Sequence, residues 1–308
     1  MDFKQKFEPK GNKVIHGAGQ DDNPFNYPND FKNYWEISDK KPLLFMTYIQ
    51  LKYVNSKWFD LIKKNTKDFK NIILQIGLSM SDTCSGEPEK HYENEVYSKK
   101  YDDNINAFFE GVKNLGIPCF VRLGYEFNGL SWYGYNPSSF VKSWVYIIKK
   151  SRDAKVKNIA WIWHYAPEGV QNYMDYYPGD EYVDWWGVTF FLPNDIKNNN
   201  IFIKDAKFHK KPVMICESSA RGIGVNESKK SWNNWFKIYF EWIKNNPIIK
   251  GFCYINWDWS KKQEIWKDWG NCVISNNEYV KKKYVKELEK KKYIHNINSK
   301  DFLKIVYK

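Results

Sequence analysis

The stretch INAFFEGVKNLGIPCFVRLGYE, residues 105–126, decides the fold of this chain. Its first half places apolar residues every three or four positions, which predicts one face of an amphipathic helix. Gly116 follows the last apolar residue of that face and is typical of a helix end. The run Cys119–Gly124 comes next and is largely apolar on both faces, as a buried parallel strand should be. The stretch therefore predicts a helix that leads directly into a buried strand.

The same alternation of helix and strand runs through the whole chain. Two more helices carry an apolar stripe, one opened by Pro137 and one stopped by Pro247. The eight candidate strands are Val14–Ala18, Leu43–Ile49, Ile72–Leu78, Cys119–Gly124, Ile159–His164, Val183–Phe191, Val213–Glu217 and Gly251–Asn256. Eight strands that alternate with helices in 308 residues predict a (β/α)8 TIM barrel. No low-complexity linker divides the sequence, so residues 1–308 are predicted to form a single domain.

A doubly wound open sheet is the alternative fold. Such a sheet would normally show a glycine-rich phosphate loop, and then a helix, directly after its first strand. Here residues 17–19 (GAG) are too short for that fingerprint, and residues 21–24 (DDNP) form a loop in place of the helix. The barrel is therefore the preferred prediction.

The composition indicates a surface rich in flat aromatic faces. Aromatic residues make up 19% of the chain, with 15 Trp, more than a buried core needs, because each buried indole N–H requires a partner. The net charge of +12 would by itself suit a nucleic acid. However, the lysines are spread in pairs, and the one dense run, Lys281–Lys292, has the pattern of a solvated helix face. A nucleic-acid partner is therefore not expected.

The cysteines and histidines give no sign of a disulfide framework or a metal centre. The five Cys cannot all pair, and Cys119, Cys216 and Cys253 lie in apolar strand-like runs, which predicts buried thiols. No Cys or His spacing suits a metal, so neither a metal nor another cofactor is expected.

Nothing in the sequence predicts a membrane partner or a signal peptide. No run reaches the roughly 18 apolar residues of a membrane span. The first residues, Met1–Lys6, are polar, so secretion would require a leader that has been removed, and otherwise the protein would be cytoplasmic. The sequence favours neither location. We expect a monomer.

Two glutamates stand where a barrel of this type has its active site. The reacting groups of (β/α)8 barrels lie at the C-terminal ends of the strands. Glu126 follows the fourth candidate strand and Glu217 ends the seventh, where a carboxylate is costly unless it is used or paired. Cleavage of a glycosidic bond needs one carboxyl to protonate the leaving oxygen and one to attack the sugar carbon. Either glutamate alone would fit a structural salt bridge, but the pair favours a glycosidase. Arg122, four residues before Glu126, is placed to hydrogen-bond a carboxylate.

Aromatic residues cluster around the same strand ends. The candidate sugar-stacking residues are Trp132, Tyr133, Trp163, Trp257 and Trp259. Their alternative role is to cap the barrel core. His164 either binds a substrate hydroxyl or is a buried histidine with satisfied hydrogen bonds, and the sequence favours neither.

These residues lie in segments that resemble glycoside hydrolase family 26. The segment Arg122–Gly129 (RLGYEFNG) is similar to the family's acid/base segment, roughly Arg-x-x-His-Glu-x-Asn-Gly, which is followed by aromatics. Three further segments resemble its fifth strand, its sixth-strand region and its nucleophile strand. They are, in that order, Asn158–Trp163, Tyr177–Val188 and Lys211–Glu217. The resemblance runs from about residue 119 to residue 219.

The resemblance implies a retaining, endo-acting hydrolase of a β-linked polysaccharide. Glu126 would be the general acid/base and Glu217 the nucleophile. The first substrate to test would be β-1,4-mannan, followed by β-1,3-xylan and mixed-linkage β-glucan. Further substrate contacts are expected from Arg122, Tyr125, Asn128, Trp132, Tyr133, Trp163, His164, Phe190, Trp257 and Trp259. The alternative is a non-catalytic glycan-binding barrel derived from such an enzyme.

Two positions depart from the family pattern. Tyr125 stands before the acid/base, where the family usually has a histidine that contacts the sugar beside the scissile bond. The sixth strand ends in Phe190 and Phe191, where the family usually supplies a tyrosine hydroxyl to the nucleophile. Both changes point away from an ordinary mannanase site.

Overall fold

Eight parallel strands close into a barrel in the computed structural model, which describes residues 1–21, 28–82 and 90–308. The strands are β1 Val14–Asp21, β2 Leu44–Gln50, β3 Ile73–Ser79, β4 Cys119–Leu123, β5 Ile159–Tyr165, β6 Trp185–Phe190, β7 Val213–Ser218 and β8 Ile249–Ile255. Each strand pairs with the next, and β1 pairs with both β2 and β8, which closes the ring. A short strand β9, Tyr293–Ile294, pairs with the start of β1. The predicted (β/α)8 TIM barrel is confirmed, and each candidate strand overlaps one barrel strand.

Helices lie between the strands along the chain. They are α1 Asn29–Trp35, α2 Ser56–Asn65, α3 Glu93–Tyr97, α4 Asp102–Leu115, α5 Pro137–Asp153, α6 Ile196–Phe208, α7 Lys229–Ser231, α8 Lys237–Asn245, α9 Glu278–Leu288 and α10 Ser299–Ile305. The short helix α7 continues through a π-helical segment, Trp232–Phe236, into α8. As predicted, α4 ends at Gly116, whose φ is 63°. The helix α5 begins at Pro137, and the side chain of Asn136 caps it.

The apolar stripe predicted on α4 is buried, which explains why this segment is helical. Ile105, Phe108, Phe109 and Val112 are buried along the helix. Full burial of one such side chain contributes about 1.5–3 kcal/mol, which outweighs the helix propensity of any single residue. Leu115, the last residue of the predicted stripe, is only half-buried.

A glycine on β3 makes room for two tyrosines in the barrel. A Cβ atom on Gly77 would lie 2.6 Å from the ring of Tyr48 and 3.0 Å from the ring of Tyr125. The guanidinium of Arg122 lies 4.8 Å and 5.0 Å from the centres of these two rings. The small residue therefore allows both rings to contact a buried arginine, which is a favourable cation–π arrangement.

The N-terminal segment closes the opposite end of the barrel. Lys250, near the start of β8, is fully buried, and its Nζ donates to Asp2 at 2.7 Å. The same nitrogen donates to the carbonyl oxygens of Pro9, at 3.3 Å, and Gly11. A second carboxylate, Glu8, lies 3.9 Å from it. We call Asp2, Glu8 and Lys250 the sealed cluster.

Several further predictions can be compared with the described part of the chain. The thiols of Cys119, Cys216 and Cys253 are free and buried, as predicted, and so is that of Cys272. Cys84 and most of the loop 21–24 lie outside the described residues. Within the described ranges, none of the helices has the length and apolar character needed to cross a membrane.

Candidate active site

A tight turn after β4 carries Glu126 to the mouth of the barrel. Gly124 and Glu126 both have left-handed backbone conformations, with φ of 52° and 51°. A Cβ atom on Gly124 would lie 2.5 Å from the ring of Phe140, so both space and backbone conformation require glycine there. Glu126 lacks that freedom, and a non-glycine residue in this conformation costs about 1–3 kcal/mol. The strained backbone conformation indicates that a glutamate is kept at position 126 because its side chain is needed there.

Glu217 is paired with a buried cation. The carboxyl lies in β7, and the side chain of Glu217 is only 9% exposed. It accepts a hydrogen bond from Nη1 of Arg122, which comes from β4 and is fully buried. A guanidinium cannot lose its proton in a protein, so the negative charge of Glu217 has a permanent partner.

Glu126 is held by neutral donors. Its Oε1 accepts from the hydroxyl of Thr189 at 2.6 Å, and its Oε2 accepts from Nε1 of Trp132 at 3.0 Å. Part of the side chain reaches solvent, but the carboxyl lies deep. Burial, and then the charge of Glu217, raise the pKa of Glu126 to about 8, although both hydrogen bonds oppose that rise. We call Arg122, Glu126 and Glu217 the open cluster.

His164 lies behind the open cluster and is fully buried. Its Nδ1 is 3.3 Å from Nη1 of Arg122, and its Nε2 is 3.0 Å from Oγ1 of Thr189. Burial, and then the charge of Arg122, hold the pKa of His164 well below its usual value. Of the two roles considered from the sequence, the geometry matches a buried histidine with satisfied hydrogen bonds.

A cleft of about 560 Å³ opens onto both glutamates. Its walls include the aromatic residues Tyr48, Tyr125, Trp132, Tyr133, Phe191, Trp259, Trp266 and Trp269. Polar groups also line it, among them Arg221, which donates to Glu168 at 2.7 Å and 2.8 Å. A concave, mostly apolar site with a few convergent polar groups is the usual form of a small-molecule or oligosaccharide site.

The sequence of this chain matches the sequence model of a family described as glycosyl hydrolase family 26, over residues 87–262. That match covers more than half of the 308 residues. The chain belongs to glycosyl hydrolase family 26. The resemblance predicted from the motifs is thereby confirmed.

Two proteins whose sequences are similar to this chain are named β-1,3-xylanases. The β-1,3-xylanase of Alcaligenes sp is 29% identical over 224 residues, which are 63% of this chain and 47% of the relative. The β-1,3-xylanase TXYA of Vibrio sp is 28% identical over 223 residues, again 63% of this chain and 48% of the relative. The chain thus spans about half the length of the curated relatives it matches.

Solved structures of family 26 proteins share the barrel. The catalytic domain of an endo-β-1,4-mannanase from Bacillus sp. JAMB-750 has a TM-score of 0.68 at 14% identity, covering 98% of this chain and 92% of that one. GH26C from Muricauda sp. MAR_2010_75 has a TM-score of 0.66 at 13% identity, covering 96% and 88%. At such identities the likeness establishes the fold alone.

Several residues predicted from the family 26 motifs lie together at the cleft. Besides the two glutamates, those that line it are Tyr125, Trp132, Tyr133 and Trp259. Tyr125, where family 26 usually has histidine, contacts the rings of Tyr48 and Tyr133, each at 5.2 Å. Arg122 lies deeper and contacts Glu217 and the rings of Tyr48 and Tyr125, all of which line the cleft.

Trp163 and Asn128 support the site from within the core. Trp163 has no exposed surface: its ring stacks on Phe127 at 4.3 Å and its Nε1 donates to the carbonyl of Tyr176 at 3.1 Å. The predicted sugar-stacking role therefore does not fit Trp163. Asn128 is also buried, and its side chain both donates to and accepts from the backbone of Ala166, each at 2.8 Å. It fixes the loop after β5 and does not line the cleft.

Phe190 also lies away from the cleft, contrary to prediction. Its ring is fully buried against Trp242, at 5.3 Å. Successive side chains of a strand point to opposite faces, and the neighbours Thr189 and Phe191 line the cleft instead. Of the two phenylalanines that stand where family 26 usually supplies a tyrosine hydroxyl, Phe191 is therefore the one that faces the cleft.

Trp257 is shielded by other side chains. It lies 4.9 Å from Trp259, and Nζ of Lys262 sits 4.2 Å from its ring centre. Two tryptophans outside the predicted set, Trp266 and Trp269, line the cleft from a short 3-10 segment. Their spacing of three residues was the available signal, because such residues share one side of a 3-10 turn.

Proposed function

We propose that this protein is a retaining endo-β-glycosidase, with Glu126 as the general acid/base and Glu217 as the nucleophile. The observation that carries the proposal is the asymmetry of the two carboxyls. Glu126 has neutral donors and a pKa raised to about 8, so it holds a proton at neutral pH. Glu217 is paired with the cation of Arg122, which stabilises its negative charge. A carboxyl that holds a proton, beside one that faces a fixed cation, matches the division of roles in glycoside hydrolysis.

The reaction would proceed in two displacements. Glu217 attacks the anomeric carbon while Glu126 gives its proton to the glycosidic oxygen, so the bond to the leaving sugar breaks and a glycosyl ester forms. Glu126, now a carboxylate, takes a proton from water, whose oxygen attacks the same carbon and releases Glu217. Two inversions at one carbon retain the β configuration.

The coupling between the two carboxyls would assist both halves of the reaction. The charge of Glu217 is, after burial, the largest cause that raises the pKa of Glu126. When Glu217 becomes a neutral ester, that cause disappears and the pKa of Glu126 falls. Glu126 is therefore a stronger acid at the moment when it must lose its proton and stay ionised to act as a base.

The shape of the cleft supports action within a polysaccharide chain. Trp132 and Tyr133 follow β4, and Trp259, Trp266 and Trp269 follow β8. Three strands lie between β4 and β8 on either side of the eight-stranded ring, so these loops face each other across the barrel. Aromatic surfaces on two sides of the glutamates suit sugar units on both sides of the scissile bond.

We place β-1,3-xylan first among the substrates and β-1,4-mannan second. The relatives at 28% and 29% identity are named β-1,3-xylanases. The mannanase structure, at 14% identity, supports only the fold. Tyr125 and Phe191 also replace the residues that family 26 mannanases are expected to have. This order reverses the one predicted from the motifs alone, with mixed-linkage β-glucan third.

The test is release of reducing ends from β-1,3-xylan, β-1,4-mannan and mixed-linkage β-glucan. We expect β-1,3-xylan to be cut and its mean chain length to fall early, as endo action requires. Glu217→Gln is the inactive control, and Glu241→Gln, on the exposed face of α8, is the matched active control. Binding of all three polymers without cleavage by the wild type would contradict the proposal and favour a glycan-binding barrel.

A further inference from the structure

We propose that Arg122, His164 and Thr189 form a one-directional hydrogen-bond chain that holds the Thr189 hydroxyl as a donor to Oε1 of the acid/base Glu126 and so positions its carboxyl. The inference rests on the proposed function of Glu126. His164 and Thr189 are positioning residues here, since both would act on the substrate only through Glu126. Neither was predicted to have this role from the sequence.

The direction of the chain follows from donor chemistry. A guanidinium can only donate, so Nδ1 of His164, 3.3 Å from Nη1 of Arg122, must accept. The proton of the neutral imidazole is then on Nε2, which donates to Oγ1 of Thr189 at 3.0 Å. With its oxygen engaged as an acceptor, the Thr189 hydroxyl donates to Oε1 of Glu126 at 2.6 Å. Each donor thus fixes the next.

The chain is buried, and the backbone carbonyl of Val188 is a second acceptor for the imidazole of His164. Arg122 and His164 are fully buried and Thr189 is nearly so, which excludes bulk water as a competing partner. Protonation of His164 would place a second N–H against the Arg122 cation, and burial and that cation hold its pKa well below the usual value. The imidazole therefore stays neutral, in one tautomer, across the working range of pH.

The chain directs a donor at one oxygen of Glu126. Oε1 accepts from the Thr189 hydroxyl at 2.6 Å, and Oε2 accepts from Nε1 of Trp132 at 3.0 Å, so each oxygen has its own donor. Without His164, the Thr189 hydroxyl could turn away from Oε1, and the carboxylate form of Glu126 would lose that hydrogen bond.

Several charged groups act on Glu126 besides this chain, and the test must hold them constant. Glu217 from β7 and Arg122 from β4 face it directly. Glu168, Asp195 and Arg221 line the same cleft. All five are retained in the variants below.

The test is to titrate the Glu126 carboxyl by ¹³C NMR in the wild type and in the variants Thr189→Val, Thr189→Ser and His164→Leu. The signal of Glu126 is assigned by its loss in Glu126→Gln. A hydrogen bond to the ionised form lowers a pKa, so Thr189→Val should raise that of Glu126 by about one pH unit. Thr189→Ser keeps the hydroxyl and should leave it unchanged. His164→Leu should give a smaller rise. The alkaline limb of kcat/KM should move with each titration.

The proposal would be overturned if Thr189→Val left the pKa of Glu126 unchanged. It would also be overturned if Thr189→Val shifted that pKa but His164→Leu did not. A purely structural role would lower the melting temperature without moving the titration. The measurement needs no substrate. If the wild type cuts none of the polymers, the proposed function fails while the titration still decides whether the chain operates.

Discussion

At each end of the barrel a buried cation faces two carboxyl groups, yet the two ends differ in what surrounds them. In the sealed cluster, Lys250 donates to Asp2 and to two backbone carbonyls, so all three of its protons are used. Glu8 accepts from backbone N–H groups of Phe3 and Gln5, each at 3.0 Å. The sealed cluster therefore ties the N-terminal segment to β8 and leaves no group directed at a ligand.

In the open cluster the cation is paired with one carboxyl only. Arg122 donates to Glu217, while Glu126 is held by neutral groups and lines a cleft. Burial raises the pKa of Glu8 just as it raises that of Glu126. A raised pKa alone therefore does not distinguish an active site from a structural ion cluster. The cleft and the unequal partners of the two carboxyls distinguish them.

The largest effect is expected from Glu217→Gln in the open cluster. The amide keeps the shape of the side chain and can still accept from Arg122, but it cannot attack a sugar carbon. The kcat on the cleaved polysaccharide should fall by at least about 10⁴-fold. Thermal unfolding would be followed beside the assay, and activity within tenfold of wild type in a folded variant would refute the assignment of Glu217.

The complementary change, Lys250→Met, removes the cation of the sealed cluster. Asp2 and Glu8 would lose their buried partner, so the free energy of unfolding should fall by about 3–5 kcal/mol. Activity at a temperature where the variant is folded should equal that of the wild type. Lys237→Met, at an exposed position of α8, is the control and should change stability by less than about 0.5 kcal/mol. A loss of kcat in folded Lys250→Met would break the distinction between the two clusters.

A third effect is a pH dependence of stability. Because the pKa of Glu126 is raised to about 8, the folded protein binds more protons at this site than the unfolded chain between about pH 4.5 and pH 8. Stability from this group is present below that window and is lost as pH rises through it, by at most about 1.4 kcal/mol per pH unit. Urea unfolding of wild type and Glu126→Gln across the window measures it. A constant difference between the two would contradict the raised pKa.

The sequence predicted the fold and the two glutamates because both depend on local pattern. Helical periodicity and apolar runs determine the eight strands, and the barrel places strand ends at one rim, so Glu126, Glu217 and Arg122 were found from position alone. Trp163 and Phe190 were assigned to the cleft because a strand end was taken as exposed, although alternate side chains point away from it. The same alternation along β6 predicts that Thr189, and not Phe190, points into the cleft.

Other parts of the site depend on tertiary contacts that no local pattern encodes. Trp266 and Trp269 reach the cleft only through the path of the loop after β8. Tyr48 contacts Arg122 across β3, where Gly77 makes room for its ring. The tautomer of His164 depends on which atoms three different strands bring within hydrogen-bonding distance.

The division of roles between Glu126 and Glu217 is tested most directly by the configuration of the product formed in azide. An aryl β-glycoside of the sugar that the wild type cleaves would be incubated with Glu126→Ala and with Glu217→Ala, and the glycosyl azide identified by ¹H NMR. With Glu217 intact, the glycosyl ester still forms and azide displaces it, so Glu126→Ala should give the β-glycosyl azide. Glu217→Ala leaves room for direct attack and should give the α-glycosyl azide. The opposite pair of configurations would contradict the account and exchange the roles of the two glutamates.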